Sequence, residues 1–136
     1  MRPPQLLGGA ISALLAVGLG AFGAHGLTDQ ISPTLLATYE TANEYHFYHA
    51  FALLITGLLA LHAPGRWWTR AGWCFGLGLF CFSGSLYLLA TRSLTGLDAW
   101  TPVLGPITPL GGLFFILGWG FLCVGILRHT AKRPIR

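Results

Sequence analysis

The sequence predicts an all-α integral membrane protein, a four-helix bundle with both termini in the cytoplasm, and three observations predict it. Of 136 residues, 54% are hydrophobic and 9% charged, whereas a soluble surface normally needs about 25% charged residues. The apolar residues fall in four long runs, 6–26, 44–63, 71–90 and 109–127, each about the length a helix needs to cross a hydrocarbon core of roughly 30 Å. The basic residues cluster at alternate ends of these runs. Residues 1–136 therefore form one four-span domain whose solvent is lipid, in keeping with a mean hydropathy of +0.64. A net charge of +4 on a soluble chain would suggest nucleic acid. Here the Lys and Arg residues form no basic stripe, and nucleic acid is excluded as a partner.

The first run, LLGGAISALLAVGLGAFGAHG, carries no charge. A cleaved signal peptide is the rival reading, since Arg2 supplies a basic start and Ala21-Phe22-Gly23 a small-x-small site. The run exceeds the roughly 7 to 15 residues of a signal-peptide core, so a span is expected. Ala16, Gly20 and Ala24 are four apart and form a small-residue face that lets another helix approach closely.

Ser32 and Pro33 form a helix start, with serine as the cap and proline at the first helical position. A helix over 33–63 would measure about 46 Å, so its first ten or so residues lie in or above the interface. Its apolar part begins with Glu44, His46 and His49. A charged side chain at mid-span costs about 2.5 to 3.5 kcal/mol, so this helix needs protein neighbours. At about 100° per residue, Tyr39, Ala42, Asn43, His46 and His49 share one side, and Glu40, Glu44, Phe47 and Tyr48 the other.

The connection PGRWWTR (64–70) pairs tryptophans with arginines, an interfacial anchor. The third span is uncharged, with Gly72 and Gly76 as a second close-packing face and Ser83, Ser85 and Tyr87 in its outer half. Cys74, Cys81 and Cys123 show no CxxC spacing and are expected to pack as small apolar residues. The fourth span starts at a helix-compatible proline, Pro109. An inside N-terminus gives the cytoplasmic side Arg2, Arg66, Arg70, Arg128, Lys132, Arg133 and Arg136 and leaves Arg92 outside, as the positive-inside rule demands.

The segments GAFGAHGL (20–27), YETANEYHFYHAFALL (39–54), FSGSLYLL (82–89) and ITPLGGLFFILGW (107–119) resemble the signatures of domain-of-unknown-function family 423. These are small bacterial inner-membrane proteins related to transmembrane protein 256. The resemblance covers nearly the whole chain and implies four spans and a location in the inner (plasma) membrane. His46 departs from the family pattern, in which glutamine is common at the matching position.

The predicted topology places His25, Glu40, Glu44, His46, His49, Tyr87, Arg92 and Thr108 in the extracytoplasmic half, where four helices could enclose a polar pocket. Three uses compete for it. The first is structural: hydrogen bonds between helices, with Arg92 pairing to Glu40 or Glu44. The second is a metal or haem site on His25, His46 and His49, although no HExxH or CxxC spacing accompanies them, and no cofactor is expected. The third is proton movement, for which no polar path continues inward beyond His62. Catalysis lacks any Walker loop, dinucleotide fingerprint or nucleophile elbow, and Ser83-Gly84-Ser85 lies in an apolar span. The sequence-level expectation is a non-enzymatic accessory or scaffold subunit. Its partners are the lipid bilayer and other membrane subunits or a second copy, with binding of a small hydrophobic ligand in the outer pocket as the alternative.

Overall fold

A computed structural model describes residues 3–131, so Arg2, Lys132, Arg133 and Arg136 lie outside it. The described elements are helical. Helix α1 (Pro4–Phe22) widens into a π turn at Gly23–Leu27; α2 runs Pro33–His62; α3 (Arg66–Gly78), a second π turn (Leu79–Ser83) and α4 (Gly84–Thr95) form one continuous rod; and a 3-10 turn at Asp98–Trp100 leads into α5 (Thr101–Thr130). Three stretches are long and apolar enough to cross a membrane: Pro4–Leu27, Arg66–Thr95 and Asp98–Thr130. Helix α2 is as long as α5 at 30 residues, but its first half carries Glu40, Asn43, Glu44, His46 and His49.

The helix ends have local causes. Ser32 Oγ accepts a hydrogen bond from the Leu35 N–H at 3.3 Å, and Pro33 occupies the first turn of α2, as the serine-proline pair predicts. Pro64 disfavours a helical Ala63, which sits at φ −148° and ψ 85°, and α2 stops at His62. Gly96 closes α4 in the left-handed conformation (φ 69°), which glycine adopts without a Cβ penalty. The start expected at Pro109 is corrected: α5 begins at Thr101, with Pro102 in its first turn, where a missing N–H costs nothing, and it continues through Pro106 and Pro109. The third span is interrupted by a π turn that its uniformly apolar sequence does not announce.

Packing runs as a row: α1 on α2, α2 on the α3–α4 rod, and that rod on α5. Helices α1 and α2 are antiparallel over their full apolar lengths. Gly57 faces Leu6 and Gly9 faces Leu54 at one end, and Gly23 faces Tyr39 at the other. Of the predicted small-residue faces, Ala16 is fully buried, Gly20 receives the Asn43 amide and Gly72 receives Gln5. Ala24 is exposed and Gly76 opens onto empty space, so neither serves as a packing site here.

The tightest contact was not foreseen. Gly111, Gly118 and Gly125 recur every seventh residue along α5, and Phe82, Phe75 and Trp68 recur with the same period along the rod. The Trp68 ring lies on Gly125, the Phe75 ring on Gly118, and the backbone of Phe82 on Gly111, while Phe115 of α5 answers by covering Gly78. A seven-residue repeat keeps one seam of each helix facing its partner. The core gathers along this seam, with Ala52, Leu53, Trp68, Ala71, Phe75, Phe115 and Leu122 buried together.

The two ends of the bundle differ in charge. At one end, Arg66, Arg70 and Arg128 place their guanidinium carbons 5.1, 5.1 and 4.9 Å from the centroid of Trp67. At the other, Arg92 meets Asp98 at 3.5 Å. Gly111→Ala is expected to destabilise the protein by about 1 to 3 kcal/mol, because the new methyl meets backbone rather than a movable side chain. Gly120→Ala, where a Cβ would meet nothing within 4 Å, is expected to be neutral or slightly stabilising. Unfolding in detergent micelles monitored by circular dichroism compares the two directly.

Candidate functional site

The polar side chains of α2 are held in two separate places. The first lies among α1, α2 and α4. Asn43 donates through Nδ2 to the Ala16 carbonyl at 2.8 Å and to the Tyr87 hydroxyl at 3.0 Å. Because a carbonyl can only accept, the amide orientation of Asn43 is fixed. The Tyr87 hydroxyl, having accepted from Asn43, also hydrogen-bonds His46 Nδ1 at 3.2 Å. His46 Nε2 shares a 3.0 Å hydrogen bond with Ser12 Oγ. Tyr39 adds a bond to the Leu19 carbonyl at 2.9 Å and packs its ring 4.8 Å from that of Tyr87. Gly20 makes room for this arrangement, since a Cβ there would stand 2.8 Å from Asn43 Oδ1.

The second place faces α5. His49 Nδ1 lies 2.8 Å from the Tyr45 carbonyl and must donate to it, which leaves Nε2 to accept from Trp119 Nε1 at 3.2 Å. The imidazole stacks on Phe115 with centroids 3.4 Å apart and planes 6° from parallel. His49 thus carries its proton on Nδ1, and every ring nitrogen of the two histidines is engaged. A buried polar group left unmet costs about 1 to 3 kcal/mol, so this satisfaction stabilises α2 among its neighbours.

Of the eight residues expected to form one outer pocket, the structure brings together His46 and Tyr87. His49 turns to the other side of α2. Glu40 and Glu44 are exposed, the latter accepting a hydrogen bond from Tyr48 one turn along, and His25 is exposed in the π turn that ends α1. Arg92 pairs with Asp98 and donates to the Leu89 carbonyl at 2.6 Å, so the expected partnership with Glu40 or Glu44 is corrected: a carboxylate just beyond its own helix is nearer. Thr108 shares a 2.6 Å hydrogen bond with Ser85, joining α5 to α4. The single enclosed pocket dissolves because α2 presents its polar groups in two directions.

The expected metal set fares similarly. His25, His46 and His49 do not converge, and among the described residues no group of three or more His, Cys, Asp or Glu side chains is placed to hold an ion. Both ring nitrogens of His46 and of His49 already have hydrogen-bond partners. Cys74 and Cys81 are partly buried and unbonded, and Cys123 is exposed.

Ser12, Asn43, Ser83 and Trp119 are the site residues that the candidate set lacked. Ser12 and Asn43 were detectable as polar residues within or flanking apolar runs; Trp119 was not, because its role depends on which helix faces His49. Ser83, 1% exposed in the second π turn, has no hydrogen-bond partner for its hydroxyl. It lines a cleft of about 460 Å³ between α1 and the α3–α4 rod, whose walls include Ser12, His46, Leu53, Phe80 and Tyr87. A second cleft, of about 740 Å³, opens between α2 and α5 beside His49, Phe115 and Trp119.

Because hydrogen bonds between membrane helices average about 0.6 kcal/mol, with a maximum near 1.7, Tyr87→Phe is expected to lower stability by only that much. Trp119→Phe, which leaves His49 Nε2 without its donor, should cost a similar amount. Denaturant unfolding in micelles reads both, and a loss of several kcal/mol would show that the network holds the fold together.

Comparisons with known proteins place the chain among membrane proteins. The family model described as "Protein of unknown function (DUF423)" matches residues 19–112. The UPF0382 membrane protein YwdK of Bacillus subtilis is 44% identical over 122 residues, covering 89% of this chain and 94% of that protein. UPF0382 membrane proteins of Staphylococcus epidermidis and Staphylococcus aureus are 42% and 43% identical, each over 124 residues, covering 90% of this chain and 93% of theirs. No solved structure matches significantly. With a family model matching most of its length and relatives above 40% identity that are membrane proteins, the chain belongs to the DUF423 family of membrane proteins.

Proposed function

We propose that this protein crosses the inner (plasma) membrane four times, with both termini in the cytoplasm, and acts as a non-enzymatic accessory or scaffold subunit through lateral helix contacts. The fourth crossing is α2. Its residues 39–57 lie beside residues 6–23 of α1, so it traverses the same depth as a helix apolar enough to span. Its buried polar groups bond inward, to α1, α4 and α5, which is how an otherwise costly helix is accommodated. The gathering of Arg66, Arg70 and Arg128 at one end, against Arg92 at the other, supports the orientation.

The observation that carries the scaffold reading is the contrast between inward and outward glycines. Inward ones are filled by side chains or backbone of a neighbouring helix, whereas Gly8, Gly18 and Gly120 have nothing within 4 Å of where a Cβ would be. Around them Leu7, Leu14, Val17, Ile116 and Leu127 are exposed. A glycine in a helix interior gives up about 1 kcal/mol relative to alanine, and an outward notch is what a further membrane helix packs into. The catalytically capable side chains, by contrast, are spent on one another.

A second reading has its own support. The unpartnered Ser83 hydroxyl, beside His46 and Tyr87 in a cleft open to the lipid side, suits the polar head of a small amphiphile.

Extraction in a mild detergent should recover the protein in an assembly well above its 14.6 kDa chain mass, read by light scattering. A clean monomer that carries a stoichiometric small molecule in mass spectrometry would instead select the second reading. Alkaline phosphatase fused after Arg136 should be inactive, and strong activity would overturn the orientation.

A further inference from the structure

We propose that Arg66, Arg70 and Arg128, gathered around Trp67, bind the phosphate of an anionic phospholipid headgroup. Three positive charges on one indole stand 4.9 to 5.1 Å from its centroid, each within cation-π reach of about 6 Å. The ring's attraction does not remove the repulsion among three guanidinium groups that share one indole, and an anion bound at the cluster offsets it.

The protein's own side chains do not supply it. Its carboxylates are Asp29, Glu40, Glu44 and Asp98. Asp98 pairs with Arg92, Glu44 is bonded by Tyr48, and Glu40 and Glu44 line a hollow with Gly23 and Ala24 at the far end of α1, which the Asp29 turn follows. All of them belong to the opposite end of the bundle.

The backbone adds to the demand for an anion. Helix α3 begins at Arg66 behind Gly65, with no side-chain cap and no acidic residue in its first turn. Its free N–H groups and the positive end of its dipole therefore add to the charge of Arg66 at the same helix end, and a negative group offsets both. A concavity of about 610 Å³ lies at this junction, walled by Gly65, Arg66, Trp67, Trp68, Arg128 and His129. The Trp68 Nε1–H donates to the Ala63 carbonyl at 2.7 Å and holds the α2–α3 turn as one wall.

The lipid is the fitting source of the phosphate. The cluster stands at the ends of the membrane-long rod and of α5, and Trp67 packs its ring 6.0 Å from Phe121, so ring and guanidinium groups lie where acyl chains give way to headgroups. Basic pockets between membrane helices at this depth recognise acidic headgroups.

The test is thermal unfolding of the full-length protein in dodecyl maltoside micelles, titrated with dioleoylphosphatidylglycerol, dioleoylphosphatidylcholine or sodium phosphate. Phosphatidylglycerol should raise the midpoint saturably, and the other two should not. Arg66→Gln, Arg70→Gln and Arg128→Gln should each weaken the apparent affinity about fivefold, equivalent to about 1 kcal/mol per guanidinium near a membrane surface. Trp67→Leu leaves all charges in place and should weaken it as well, which a diffuse charge effect would not. Arg92→Gln, with the same change in net charge, should leave it unaltered, and Arg70→Lys should retain most of it while reporting on folding. Full affinity in both Trp67→Leu and Arg128→Gln would overturn the site, as would an equal response to phosphatidylcholine. A response to sodium phosphate matching that to phosphatidylglycerol would overturn the lipid as its source.

Discussion

The structure depends on one constraint: α2 carries Asn43, His46 and His49 into the helix packing, and each of the three finds a partner on another helix. Asn43 reaches α1 and α4 together, His46 is held between Ser12 and Tyr87, and His49 is held by Trp119. Remove the neighbours and these groups lose their partners, at about 1 to 3 kcal/mol for each one left buried and unmet. The helix with the most polar groups bonded to its neighbours is therefore the one around which the others are placed.

A different force holds α5. Lipid tails are as apolar as the side chains they would replace, so hydrophobicity gives α5 little reason to prefer protein over membrane. Close contact does. The alternation of bare glycine on one helix with large rings on the other allows backbones to approach and many weak dispersion contacts to add. The two halves of the molecule thus use two kinds of adhesion, directional bonds around α2 and shape along α5.

Much of this was legible in the sequence. Run length gave the helices, the Ser32-Pro33 pair gave the start of α2, and the helical wheel separated buried Tyr39, Ala42, His46 and His49 from exposed Glu40, Glu44 and Tyr48. What stayed hidden were relations between helices. A wheel shows that His46 and His49 share a side but not that 60° between them is enough to direct one to α4 and the other to α5. Arg92 looked toward distant glutamates because the turn that brings Asp98 back to it is set by Gly96, whose conformation a hydropathy pattern does not encode. Ala24 and Gly76 had the right spacing and the wrong neighbours, whereas the sevenfold recurrence of glycine in α5 was present in the letters and needed only its aromatic counterpart to be recognised. The π turns left no trace in a run of uniformly apolar residues.

The hydrogen-bond sequence linking Asn43, Tyr87, His46 and Ser12 also has one fixed end. A proton wire conducts by hopping and then resets by turning every donor around. An amide nitrogen cannot turn around: held by the Ala16 carbonyl, it gives hydrogen bonds and never receives them. Asn43 therefore acts as a stopper at one end of the chain. With that end fixed, the linked side chains act as a strut that braces α2 against α1 and α4.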